Sequence, residues 1–84
     1  MKFKAEIDVM PLEALLDPQG KAVQTGLHNI GLTSLSGVRV GKHMTIMVEA
    51  ASQAEANTLI EDACKKMLAN PVMEFYRFTV ESVA

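Results

Sequence analysis

The sequence predicts an α+β fold, a two-layer sandwich in which two helices cover one face of an antiparallel sheet. Phe3, Ala5, Ile7 and Val9 alternate with Lys2, Lys4, Glu6 and Asp8, the period of a strand with one buried face. Asp17-Pro18 and Ser52-Gln53-Ala54-Glu55 are both helix-start signals. The stretches between and after them are rich in β-forming residues. At 84 residues the chain reads as a single domain, 1–84, small enough for partners to complete its core.

The first strand ends at Pro11, which cannot donate to a sheet ladder. Asp17 is then an N-cap with Pro18 at the first helical position, where its missing N–H costs nothing. Ala22, Val23, Leu27 and Ile30 share one face of this helix, and Gly31 can end it. Gly26 sits mid-helix at a cost of about 1 kcal/mol relative to alanine, which a close approach to another backbone would offset. From Val38 to Val48 the expectation is a β-hairpin turning at Gly41-Lys42. The second helix opens at the Ser52/Glu55 capping box, carries Ala56, Leu59, Ile60, Ala63, Met67 and Leu68 on one stripe, and stops at Asn70-Pro71. Val72 to Val83 closes as a strand.

The resulting order, β-α-β-β-α-β, is shared with ferredoxin-like domains and places both helices on one face of a four-stranded sheet. The hairpin register puts Val38, Val40 and Met47 on one face and Met44, Ile46 and Val48 on the other. The last strand divides Met73 and Phe75 from Tyr76, Phe78 and Val80. Two helices cover only one face, so a second subunit is expected over the other.

Composition narrows the function classes. A net charge of -2 with interspersed signs argues against a phosphate-backbone partner. No apolar run approaches membrane-spanning length, and the charged alternation at the start is no signal-peptide core, so a cytoplasmic location is expected. The single Cys64 rules out an internal disulfide and a multi-cysteine metal site; within a helix it reads as a small buried hydrophobe. His28 and His43 show no metal-ligand spacing. Arg39, Gly41 and Lys42 form a basic-plus-glycine cluster that could hold a phosphate or a partner's carboxylate, but no P-loop pattern accompanies it. Phe75, Tyr76 and Phe78 fall on both faces of a strand, which argues against base stacking. The expectation is a chain with no catalytic, cofactor or metal residues of its own.

Leu16-Asp17-Pro18-Gln19-Gly20 with Ala22-Val23, then Val38-Arg39-Val40-Gly41-Lys42, then Asn70-Pro71-Val72-Met73-Glu74 with Tyr76 beyond, resemble the PurS family in order and spacing. These are small subunits of phosphoribosylformylglycinamidine (FGAM) synthase, and the likeness runs over essentially the whole chain. Gly26 and Met73 are its minor departures.

The resemblance implies a non-catalytic subunit of a glutamine- and ATP-dependent ligase in de novo purine synthesis. Its partners would be copies of itself, the PurL synthetase subunit and the PurQ glutaminase subunit. ATP and Mg would be used on the large subunit, and ammonia transfer would be supported by this chain. Asp17, Gln19, Arg39, Lys42 and Tyr76, the polar or amphipathic members of the family-like stretches, are the expected partner-interface residues. The alternative is a small dimeric ligand-binding regulatory domain with Gly41 in its ligand loop. A stand-alone enzyme is disfavoured by the lack of a paired base, nucleophile or metal cluster.

Overall fold

The order is β1 (Lys2–Pro11), α1 (Pro18–Asn29), β2 (Lys42–Glu49), α2 (Gln53–Ala63) and β3 (Glu74–Val83) in the computed structural model, which describes residues 1–83. The sheet is antiparallel, with β1 at its centre between β2 and β3. The alternation in β1 does what its period dictates: Phe3, Ala5, Ile7 and Val9 are fully buried while Lys2, Lys4 and Glu6 face water. Removing Phe3, Ile7 or Val9 from water contributes about 1.5–3 kcal/mol each.

Cross-strand register puts Met44, Ile46 and Val48 of β2, and Tyr76, Phe78 and Val80 of β3, on that same face. α2 lies over it through Ala56 and Ile60. At its start Ser52 Oγ accepts the Glu55 amide at 3.1 Å, and Glu55 Oε2 accepts the Ala51 amide at 3.0 Å, a near capping box. The helix widens into a π-turn over Cys64–Leu68, closed by the Ala69 amide on the Cys64 carbonyl at 3.1 Å, with Cys64 fully buried. Asn70 then redirects the chain, its Oδ1 accepting the Val72 amide at 3.0 Å.

The α+β class, the antiparallel sheet and the caps agree with the sequence expectation; three features differ. The hairpin at Gly41-Lys42 does not form, so the sheet has 3 strands and the order is β-α-β-α-β. A two-residue turn with glycine first needs a positive φ there, and among the described residues only Gly31 and Gly37 have one. The amides of Val38 and Val40, which would face a partner strand, instead donate to the side chains of Gln24 and Asp17.

Second, only α2 covers the sheet. α1 projects from the end of an elongated molecule, 51 × 29 × 14 Å; Gly20 is its single buried residue, and Val23 and Ile30 are 46% and 72% exposed. Third, the second apolar face vanishes with the hairpin. The outer sheet face carries Lys4, Glu6, Asp8, Thr45, Arg77 and Thr79, with Met10, Met47 and Phe75 interspersed. The uncovered apolar surface lies instead on α1 and its following loop. Gly26 makes no close approach, since nothing lies within 4 Å of where its Cβ would be; Gly20 makes it instead.

Candidate functional site

Residues 35–40 run along α1 as a strap, held by side chains one helical turn apart. Asp17 Oδ1 accepts the Gly20 amide at 3.0 Å, and its Oδ2 accepts the Val40 amide at 2.9 Å. Gln24 Oε1 accepts the Val38 amide at 3.4 Å, and His28 Nε2 donates to the Leu35 carbonyl at 2.6 Å. Gly20, Gln24 and His28 recur every fourth residue, so they share a helix face. Gly20 has to be glycine, because a Cβ there would collide with the Val38 carbonyl.

Arg39 ties this unit to the end of β1. Its Nη2 donates to the Leu12 carbonyl at 2.6 Å and the Leu15 carbonyl at 3.3 Å, and its Nη1 to the Glu13 carbonyl at 3.1 Å. These acceptors belong to a loop without a ladder partner, so the guanidinium satisfies what the sheet leaves open. Its Nε lies 3.5 Å from Asp17 Oδ2 as an ion pair, but without hydrogen-bond alignment. The Gly20 amide, then the Val40 amide and the Arg39 charge, hold the Asp17 carboxyl below its ordinary range.

These ties build a groove of about 580 Å³. Leu16, Asp17, Pro18 and Gln19 line one side, Val40, Gly41 and Lys42 the second, and Asn70, Met73 and Glu74 the third. All three family-like stretches, far apart in the sequence, therefore meet at one place. Lys42 Nζ closes its rim against Glu74 Oε2 at 3.6 Å. Gly41 packs so tightly on the Val9 carbonyl and Met10 sulfur that a Cβ would collide with both. It is a close-packing glycine that also lines the groove.

Of the expected interface residues, Asp17, Gln19 and Lys42 line this groove, and Arg39 stands behind its wall. Tyr76 is elsewhere, on the α2 side of the sheet, donating to Glu61 Oε1 at 3.0 Å and stacked on Phe78 with ring centroids 6.4 Å apart. Sequence reading missed Gln24, His28 and Gly20 as strap anchors, although their four-residue spacing was the available signal. Among the described residues no group of three or more His, Cys, Asp or Glu side chains could hold a metal ion, and no helix is long and apolar enough to cross a membrane.

Comparison with known proteins points the same way. The family model for PurS, phosphoribosylformylglycinamidine (FGAM) synthase, matches residues 4–82. The chain is 41% identical to the phosphoribosylformylglycinamidine synthase subunit PurS of Bacillus subtilis, over 96% of this chain and 95% of that one. It is 39% identical to the corresponding Synechocystis subunit, over 96% and 81%. Its fold superposes on B. subtilis PurS with a TM-score of 0.85 at 40% identity, covering 95% of this chain and 99% of that one. A chain of the PurLQS structure from Thermotoga maritima gives 0.88 at 30% identity, covering 95% and 98%.

Proposed function

The chain belongs to the PurS family of FGAM synthase subunits, and on that premise we propose that it joins the PurL synthetase to the PurQ glutaminase and shelters the ammonia passing between them. The observation that carries this reading is its likeness, over nearly all of both chains, to a component of the T. maritima PurLQS assembly. The complex is a glutamine-dependent ligase whose active sites lie on other chains; the ATP and Mg it uses belong to the large subunit. Ammonia freed into water near neutral pH is largely protonated and no longer a nucleophile, so the two sites need a dry connection. A packed subunit supplies that by excluding water, with no acid–base residue of its own. The whole chain acts as one PurS-like domain in the cytoplasm.

The groove between the three family-like stretches is the proposed contact with these partners. Gln19 and Lys42 present exposed polar groups at its edge, while Asp17 and Arg39 fix its walls. Tyr76 offers a separate contact beside Glu61. The uncovered stripe of α1 is proposed to pack against a second copy. A ligand-binding regulatory domain loses its support, because the family matched is that of an FGAM synthase subunit.

The test is glutamine-dependent amidine formation by PurL and PurQ with and without this chain. Activity should require it, and equal rates in its absence would overturn the assignment. Reversal of Lys42 to Glu, with Gln19 to Ala, should weaken co-purification of the assembly without changing the fold. Unchanged assembly would remove both residues from the contact.

A further inference from the structure

The outer sheet face carries a second groove, of about 560 Å³, that shares only Gly41 and Lys42 with the first. Register explains its floor. Met10 pairs with Phe75, giving an apolar row, and the next row is His43, Asp8 and Arg77. Arg39 and Lys42 stand at the end beyond Met10. Three of the chain's 8 Lys and Arg residues line this groove, with His43, against one of its 10 carboxylates, in a molecule of net charge -2. Lysine and arginine outnumber carboxylates in the lining, while Asp17, Glu74 and Glu6 stand at its margin.

Most of these groups have internal partners: Lys42 has Glu74, Arg39 has Asp17, and His43 Nδ1 lies 2.7 Å from Asp8 Oδ1. Arg77 does not. It faces Asp8 in register, but that carboxylate is turned to His43, and Arg77 forms no ion pair among the described residues. Two residues along the same face, Phe75 is 41% exposed. An exposed aromatic beside an unshared guanidinium, rimmed by further cations, has the make-up of a protein-binding patch.

We propose that this groove docks an acidic segment of a partner subunit, with an apolar side chain on Met10 and Phe75 and carboxylates against Arg77 and Lys42. The inference rests on the proposed function, since it supplies a partner surface for that assembly. A small anion finds no enclosed cavity here, and these cations stand on long side chains around an open floor. A second copy placed by two-fold symmetry would bring like charges face to face.

The experiment titrates purified PurL and PurQ with the wild-type chain, Arg77→Glu, Phe75→Ala and, as a control on the same face outside the groove, Lys4→Glu. Circular dichroism verifies that each variant folds. Arg77→Glu should weaken assembly about tenfold or more and flatten its dependence on sodium chloride. Phe75→Ala should weaken it about thirtyfold at every salt concentration. Lys4→Glu should leave it unchanged. A photo-crosslinking benzoylphenylalanine at position 75 should capture a partner peptide containing Asp or Glu.

Equal binding by wild type and Arg77→Glu overturns this inference alone. Failure of the wild type to assemble overturns the functional reading and this inference with it. A change in self-association mass in Arg77→Glu, with partner affinity intact, assigns the groove to a second copy and overturns the proposal. So does binding of inorganic phosphate to the isolated chain that Arg77→Glu abolishes while partner affinity stays intact, which would assign the groove to a small anion.

Discussion

Asp17 Oδ2 accepts the Val40 amide at 2.9 Å, across 23 residues of sequence, while the other oxygen of the same carboxylate caps α1. One side chain thus starts a helix and fastens the strap that lies along it. Asp17→Ala orphans both amides and should lower Tm by about 5 °C or more. Asn is a good N-cap but has one carbonyl oxygen, so Asp17→Asn should hold Gly20 and release Val40. Thermal melts of both variants, with amide exchange at Val40, check this. Protection at Val40 should fall in both, and protection at Gly20 only in the alanine variant.

The same carboxylate gives a pH signature. Its folded-state pKa lies below the ordinary value of 3.8, because the Gly20 and Val40 amides and the Arg39 charge favour the anion. A depressed carboxyl contributes stability that is complete above its unfolded value and lost as pH falls through the folded one. The Tm gap between wild type and Asp17→Asn should therefore be constant above about pH 5 and shrink between about pH 4 and pH 2. A gap that stays constant down to pH 2 would mean Asp17 does not titrate with folding.

The elements legible in the sequence are those fixed by local chemistry. Asp17-Pro18, the Ser52/Glu55 box, Pro11 and the alternation of β1 each dictate structure within a few residues, and each stands where its pattern places it. Val38-Arg39-Val40 has the β-propensity of a strand, but its hydrogen-bond partners are not local. Its amides are claimed by Asp17, the N-cap of α1, and by Gln24 within it, a competition that leaves no trace in the Val38–Val40 stretch itself. Without a strand at Val38–Val40, the second apolar face expected from it has no basis. The family-like stretches were legible as motifs, but their convergence on one groove depends on the path of the strap. Met10, Phe75 and Arg77 became a group only once the register of β1 and β3 was known.

The two glycines of α1 should respond in opposite ways to one added methyl. At Gly20 the Cβ would meet the Val38 backbone carbonyl and lie 2.7 Å from the Asp17 carboxylate, whose oxygen is held by the Val40 amide. Gly20→Ala should cost about 1–3 kcal/mol, as overpacking against backbone does. At Gly26 the Cβ would meet nothing within 4 Å, and the position is helical. Gly26→Ala should stabilise by about 0.5–1 kcal/mol through the lost freedom of the unfolded chain. Urea titration of the two variants side by side reads both signs.

Cys64 is fully buried at the π-turn, and burial, followed by the Glu61 carboxylate, pushes its thiol up from the ordinary value. A neutral, enclosed thiol is a poor nucleophile. It should resist a disulfide-exchange reagent in the native protein and react fully once the chain unfolds in guanidinium. Rapid native labelling would show that the π-turn opens far more readily than the core around it.

The self-contact proposed above is placed on α1. Val23 and Ile30 stand 46% and 72% exposed on a helix whose other face is already committed to the strap, and Leu32 and Leu35 extend the apolar surface beyond it. On the sheet, α2 packs towards β1 and β3, leaving Met44 and Ile46 of β2 only half-buried. An apolar helix and an apolar half-sheet on one chain are complementary between two chains, and joining them would hide both. Light scattering at micromolar concentration should give a dimer or larger species. Ile30→Asp places a charge in that seam, away from every strap contact, and should shift the mass to that of a monomer while the circular dichroism spectrum is kept. A wild-type monomer would overturn the self-contact, and an Ile30→Asp variant of unchanged mass would place it elsewhere.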